Sequence, residues 1–140
     1  MSKLKEVKYL VVHCTATQLS QRVSVENLDN WHKAQGWNGI GYHWYIDRDG
    51  RIFPGRSESV QGAHVLDYND CSIGICYEGG IDPQGQPADT RTAAQKAALL
   101  FVLRELKKSY PQAIICGHRD FPNVHKSCPC FDARKEYTAI

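Results

Sequence analysis

The sequence lacks a long hydrophobic run near its start. Its basic opening, MSKLKEVKYLVVHC, contains only the four-residue apolar run YLVV. A signal peptide needs an apolar core of about seven residues or more, and a membrane-spanning helix needs about twenty. We therefore expect a protein that is made in the cytoplasm, without a signal peptide and without a membrane span.

A strong charge of either sign is also missing. The 140 residues include 17 Lys or Arg and 15 Asp or Glu, which gives a net charge of +2. Nucleic-acid-binding proteins usually carry a clustered surplus of Lys and Arg, so we expect no nucleic-acid partner. No repeat, low-complexity tract or linker interrupts the chain. Its length predicts a single domain over residues 1–140.

Cysteine, in contrast, is plentiful, with six residues in the chain. Disulfide frameworks are typical of oxidising compartments, whereas a reducing compartment keeps cysteines as thiols or metal ligands. Without a signal peptide, thiols or metal ligands are the favoured interpretation. A disulfide framework is the alternative if the protein reaches an oxidising space. The compact metal-binding motifs HExxH and paired CxxC are absent.

Strand and helix patterns alternate along the chain. Buried strands are predicted for three segments, VKYLVVHCT, SIGICYEGG and AIICGH. Apolar residues occupy both faces of the first segment, and the other two contain short apolar runs. Helices are predicted after the N-cap residues Ser24 and Thr92, and Asp49-Gly50 favours a hairpin turn. This alternation predicts an α/β fold with a mixed central sheet of about five strands flanked by helices.

Two histidines, His13 and His118, end predicted buried strands. Sites in open α/β sheets gather at that edge. A catalytic zinc commonly takes three protein ligands and keeps a fourth position for water, and these histidines with Cys128 or Cys130 could supply them. A structural zinc with all four side chains is one alternative. Another is that each histidine is a hydrogen-bonded structural residue, and spacing alone does not decide between them.

Five motifs resemble those of one enzyme family. They are VVHCTAT, WHKAQGWNGIGYHWYIDRDG, QGAH, NDCSIGICYEGG, and GHRDF followed by KSCPCFD. In this order, over about residues 9–135, they are similar to the zinc-dependent N-acetylmuramoyl-L-alanine amidases of type 2, and most of all to short phage lysozymes. Peptidoglycan recognition proteins are more distant relatives. The resemblance implies a zinc enzyme that cleaves the amide between N-acetylmuramic acid and the L-alanine of the stem peptide.

The resemblance also implies which residues hold the metal. By the family register the zinc ligands are His13, His118 and Cys128. His125 and Cys130 match no ligand position of the family. Zinc in such a site lowers the pKa of a water molecule and polarises a carbonyl.

Three further residues match functional positions of the family. Tyr42 matches a catalytic tyrosine beside the metal, and Lys126 matches a catalytic lysine. His64, in QGAH, resembles a substrate-contacting position on the groove wall. Without the resemblance, Tyr42 would be interpreted as a core aromatic residue, Lys126 as a solvated loop lysine and His64 as an ordinary loop histidine.

The resemblance implies peptidoglycan or a muropeptide as the substrate. The biological setting would be a phage or prophage endolysin that acts on the cell wall after release, or a cytoplasmic enzyme that acts on muropeptides. Alternatives are a muropeptide-binding module without catalysis and a regulator of a phage RNA polymerase. A complete ligand set with Tyr42 and Lys126 favours catalysis, because a binding module does not need a water-activating zinc.

Overall fold

A five-stranded sheet lies at the centre of the protein. The computed structural model describes residues 2–4 and 6–140. In chain order the elements are β1 (Tyr9–Cys14), β2 (Thr17–Gln18), α1 (Val25–Ala34), β3 (Trp44–Ile46), β4 (Ile52–Pro54), β5 (Ser72–Tyr77), β6 (Gly80–Ile81), α2 (Ala93–Ser109), β7 (Ile114–Gly117) and α3 (Ala133–Glu136). Short 3₁₀ turns cover Asn69–Cys71 and His118–Asp120.

The strand order of the main sheet is β4-β3-β5-β1-β7, and β2 pairs with β6 in a separate two-stranded sheet. β3 and β4 form the antiparallel hairpin expected from the Asp-Gly turn, whereas β3, β5, β1 and β7 run parallel. The mixed α/β sheet flanked by helices that the sequence predicts is therefore confirmed.

β1 lies in the interior of the sheet and is covered on both faces. Leu10 and Val12 pack in the larger hydrophobic core, together with Leu99 of α2. Val11 points to the other face, where it packs with Phe121. Because a central parallel strand is covered on both sides, apolar residues follow one another along it.

Local hydrogen bonds fix the start of α2. Thr92 is the N-cap residue: its hydroxyl accepts from the backbone N–H of Gln95 at 3.1 Å, and the Gln95 side chain accepts from the Thr92 N–H at 2.9 Å. The Gln95 amide group also donates to the carbonyl of Glu78 at 2.8 Å. The hydrogen bond from Gln95 to Glu78 connects the start of the helix to the segment that follows β5.

All six cysteines lie within the described residues, where the structure shows them as free cysteines. In the described part of the chain, no helix combines the length and the apolar character needed to cross a lipid bilayer.

Candidate metal centre and active site

Three side chains from distant parts of the sequence meet at the carboxyl edge of the sheet. In the parallel register of β1 and β7, Val12 lies opposite Gly117, so the residues that follow them are neighbours. Those residues are His13 and His118, whose ring centroids are 4.6 Å apart. Cys128 approaches from the loop after β7. The ligand atoms of the two histidines and Cys128 all lie within 4.8 Å of one another.

Hydrogen bonds hold the loop so that Cys128 faces the strand ends. The backbone N–H of Arg119 donates to the carbonyl of Cys128 at 2.9 Å. The backbone N–H of Cys14 donates to the Cys128 sulfur at 3.2 Å. As a result, the Cys128 Sγ lies 3.9 Å from the Nδ1 of His13.

This geometry fits a zinc ion. Zinc bonds of about 2.0 Å to nitrogen and 2.3 Å to sulfur in a tetrahedral arrangement place the two atoms about 3.5 Å apart. The distance of 3.9 Å between His13 Nδ1 and Cys128 Sγ is close to this value. Two imidazole nitrogens and one thiolate are also a donor set that zinc prefers.

The protonation of the two histidines suits metal binding as well. Burial lowers the pKa of His13 well below its ordinary value, and the nearby His64 and His118 lower it further. Burial also lowers the pKa of His118, with a contribution from the charge of Lys126. Both imidazoles are therefore neutral near pH 7, which is the form that binds a metal.

Cys130 points away from the cluster. Its sulfur lies 3.9 Å from the sulfur of Cys14, and its backbone adopts a left-handed conformation with a φ of 69°. Of the two cysteines in the CPC segment, the structure brings Cys128 and not Cys130 to the histidines.

Tyr42 lies beside the cluster, in the segment that leads into β3. Its ring centroid is 5.0 Å from that of His13. The ring also packs against the small hydrophobic core that contains Tyr45 and Cys76, so a packing role in the core is compatible with the predicted role beside the metal, which stays a prediction. Burial raises the pKa of Tyr42 well above its ordinary value, and the neighbouring thiols raise it further. The hydroxyl therefore keeps its proton and can donate it in a hydrogen bond.

Lys126 lies at the exposed rim of the same site. It lines a groove of about 610 Å³ together with His118 and His64. Its positive charge is close enough to lower the pKa of both His13 and His118. An anionic group near the cluster would therefore feel the charge of Lys126.

Known proteins are similar to this chain in sequence and in architecture. The model of the N-acetylmuramoyl-L-alanine amidase family matches residues 3–131. An endolysin of Enterobacteria phage K11 is 42% identical over 134 residues, which cover 96% of this chain and 87% of the relative. This chain belongs to the N-acetylmuramoyl-L-alanine amidase family. An endolysin of Escherichia phage T7 is 41% identical over 126 residues, covering 90% of this chain and 82% of the relative.

A solved member of the family has the same fold. The N-acetylmuramoyl-L-alanine amidase LysC from Clostridium intestinale URNW superposes with a TM-score of 0.79 at 30% identity, covering 94% of this chain and 81% of that chain. The family membership and the enzyme class that the sequence motifs implied, that of an amidase, are confirmed.

The groove of this amidase-family chain contains two large hydrophobic side chains that sequence reasoning did not single out. Trp37 and Leu66 line it and are exposed. Trp37 belongs to the motif WHKAQGW, so the family-like pattern could have pointed to it. Leu66 carries no such signal, because exposure of a single loop leucine cannot be read from sequence.

His64 lies between the groove and the cluster. One ring nitrogen, Nδ1, is 2.8 Å from the Nε2 of His13, and the other, Nε2, is 3.2 Å from the hydroxyl oxygen of Ser72. His64 also lines the groove. Since both nitrogens have partners within the protein, the ring can offer a substrate only its carbon edge or its face. The predicted contact with substrate stays a prediction.

Two other histidines have structural hydrogen bonds. His43 accepts from the backbone N–H of Gly74 at 3.0 Å and its other nitrogen is 2.8 Å from the carbonyl of Val60. His32 accepts from the backbone N–H of Gly41 at 2.8 Å. Neither belongs to the cluster of His13, His118 and Cys128 found among the described residues.

Proposed function

We propose that this chain is a zinc-dependent amidase that hydrolyses the bond between the lactyl group of N-acetylmuramic acid and the L-alanine of the peptidoglycan stem peptide. The observation that carries the proposal is the convergence of His13, His118 and Cys128 beside an open groove. Membership in the amidase family supports the choice of bond.

The three converging residues would hold the metal. Bound there, zinc lowers the pKa of a water molecule from about 16 to about 7 and polarises the scissile carbonyl. Two neutral imidazoles and one thiolate would leave the site with a net charge of +1. The site therefore favours the negative charge that develops when an amide is attacked.

Tyr42 and Lys126 would stabilise that charge. The Tyr42 hydroxyl keeps its proton, because burial raises its pKa, and it can donate a hydrogen bond to the developing oxyanion. Lys126, at the groove rim, can place its ammonium group near the same oxygen. One such donor typically contributes about 3 kcal/mol to lowering the barrier.

The similarity to phage endolysins supports the biological setting of a phage or prophage endolysin, which acts on the cell wall after release. Action on muropeptides in the cytoplasm is the alternative setting. Tyr42 and Lys126 beside the cluster support catalysis over a module that only binds muropeptides. Contact with a phage RNA polymerase stays a prediction that rests on the family resemblance.

Metal analysis tests the proposal. Protein purified without added metal should contain about one zinc per chain, and a chelator should abolish peptidoglycan hydrolysis until zinc is restored. A folded sample whose zinc content stays near zero after supplementation would contradict the proposal.

A further inference from the structure

We infer that His64 is a positioning residue: it fixes the tautomer and orientation of His13, so that the Nδ1 lone pair of His13 points at the metal. This inference rests on the proposed zinc site. It follows from a chain of hydrogen bonds that runs from His13 through His64 and Ser72 to a backbone carbonyl.

The direction of these hydrogen bonds is determined at the Tyr68 carbonyl, the end of the series that is farthest from His13. The carbonyl of Tyr68 can only accept, so the Ser72 hydroxyl, at 2.7 Å, donates its proton there. A hydroxyl has one proton. Towards His64, at 3.2 Å, the Ser72 oxygen can therefore only accept. His64 must then carry its proton on Nε2, which leaves a lone pair on its Nδ1.

That lone pair determines which ring nitrogen of His13 carries the proton. The Nδ1 of His64 and the Nε2 of His13 are 2.8 Å apart, so His13 donates from Nε2. A neutral imidazole has one N–H, and the Nδ1 of His13 is therefore unprotonated. Nδ1 is the nitrogen that faces the Cys128 sulfur at 3.9 Å. The hydrogen-bond chain thus prepares the ring nitrogen that a metal needs.

The opposite arrangement is unfavourable. If His64 donated from Nδ1, the Ser72 proton would have to turn to the Nε2 of His64. The Ser72 and Tyr68 oxygens would then face each other at 2.7 Å without a proton between them. His13 would also carry its proton on Nδ1, where it would block the metal.

Packing fixes the position of the His64 ring. A Cβ at Gly74 would lie 2.8 Å from the Cγ and Nδ1 of His64, and a Cβ at Gly62 would lie 2.6 Å from its Cδ2. The backbone N–H of His64 donates to the Asn69 side chain at 2.9 Å. Two glycines and one hydrogen bond therefore define a narrow space for the imidazole.

Zinc affinity, measured by competition with a chelator, tests this role. His64→Ala should weaken zinc binding by about 10- to 100-fold, the usual effect of removing a hydrogen-bond partner of a metal ligand. His64→Asn should recover most of the affinity, because its side-chain oxygen can replace Nδ1 as the acceptor for His13. His32→Ala is the matched control: it removes another buried histidine, which accepts a hydrogen bond from Gly41, and should leave zinc affinity unchanged.

The outcomes separate this inference from the proposed function. If the wild type binds no zinc, the proposed zinc enzyme is contradicted. If the wild type binds zinc and His64→Ala binds it equally well, the positioning role is contradicted. If His64→Ala does not fold, ¹⁵N NMR of the metal-free wild type decides: the inference requires the His13 proton on Nε2, and a proton on Nδ1 would overturn it.

Discussion

Cys128 and Cys130 are separated by one proline and have different surroundings. The Cys128 sulfur accepts a hydrogen bond from the Cys14 backbone and faces His13, whereas the Cys130 sulfur faces the thiol of Cys14. A metal site with three protein ligands and a position for water needs only one of these thiolates.

Replacing each cysteine by serine separates their roles. Cys128→Ser should lose most zinc affinity and amidase activity, because a hydroxyl is a poor replacement for a thiolate ligand. Cys130→Ser should keep both and serves as the control. Zinc content and amidase rate are measured in the two purified variants. Loss of metal in Cys130→Ser would show that the ligand assignment is displaced by two residues, and loss in both would favour a closed structural site.

Tyr42 and Lys126 should affect turnover without affecting metal content. Tyr42→Phe or Lys126→Ala should keep the zinc and lower kcat by about a hundredfold, because each removes one donor to the developing oxyanion.

Two variants away from the groove are the controls for these changes. Tyr110→Phe removes a hydroxyl that bonds to Glu58, and Lys96→Ala removes an exposed charge on α2. Both should have the turnover of the wild type. Wild-type turnover in Tyr42→Phe and Lys126→Ala would instead show that Tyr42 and Lys126 have only structural or surface roles.

Single residues of the site differ in how far the sequence predicts them. The positions of His13 and His118 at strand ends follow from the pattern of buried strands, because a strand end is a local feature. Their assignment as metal ligands came from the family resemblance. The choice of Cys128 over Cys130 came from the family resemblance, since spacing permits either. The bonds from His64 to His13 and Ser72 join residues far apart in sequence, and no local pattern reveals them.

At the scale of elements, interactions within a few residues were predictable. The capping residues Ser24 and Thr92 and the Asp-Gly hairpin turn depend on neighbours three or four residues away, and each is present in the structure. The strands β2 and β6 were not predicted. Each has two residues, which is too short to show a periodic pattern, and their pairing depends on the fold that surrounds them.

The N-cap of α2 provides a stability test at this scale. Thr92→Ala should destabilise the protein by about 1–2 kcal/mol, because it removes the acceptor for the Gln95 N–H and the donor to the Arg48 carbonyl. Thr92→Ser keeps both hydrogen bonds and should remain close to the wild type. Denaturant unfolding measures the difference. Equal free energies of unfolding for Thr92→Ala and the wild type would contradict the proposed contribution of the cap.

At the scale of the whole molecule, the sheet order assembles the site. Because β1 lies between β5 and β7, His13 and His118 become neighbours although 105 positions separate them in sequence. The sequence predicts a sheet of about five strands but does not specify the order of the strands. That order follows from how the helices and the hairpin pack around the core, which involves the whole chain.

The bond that the protein cleaves tests the central claim most directly. Purified peptidoglycan is digested with the wild type and with Cys128→Ser, and the products are analysed by mass spectrometry. We expect the wild type to release stem peptides with a free N-terminal L-alanine and to leave glycan strands with intact N-acetylmuramic acid. Cys128→Ser should release no stem peptides. Wild-type products cut within the glycan or within the stem peptide, with L-alanine still attached to the sugar, would contradict the account.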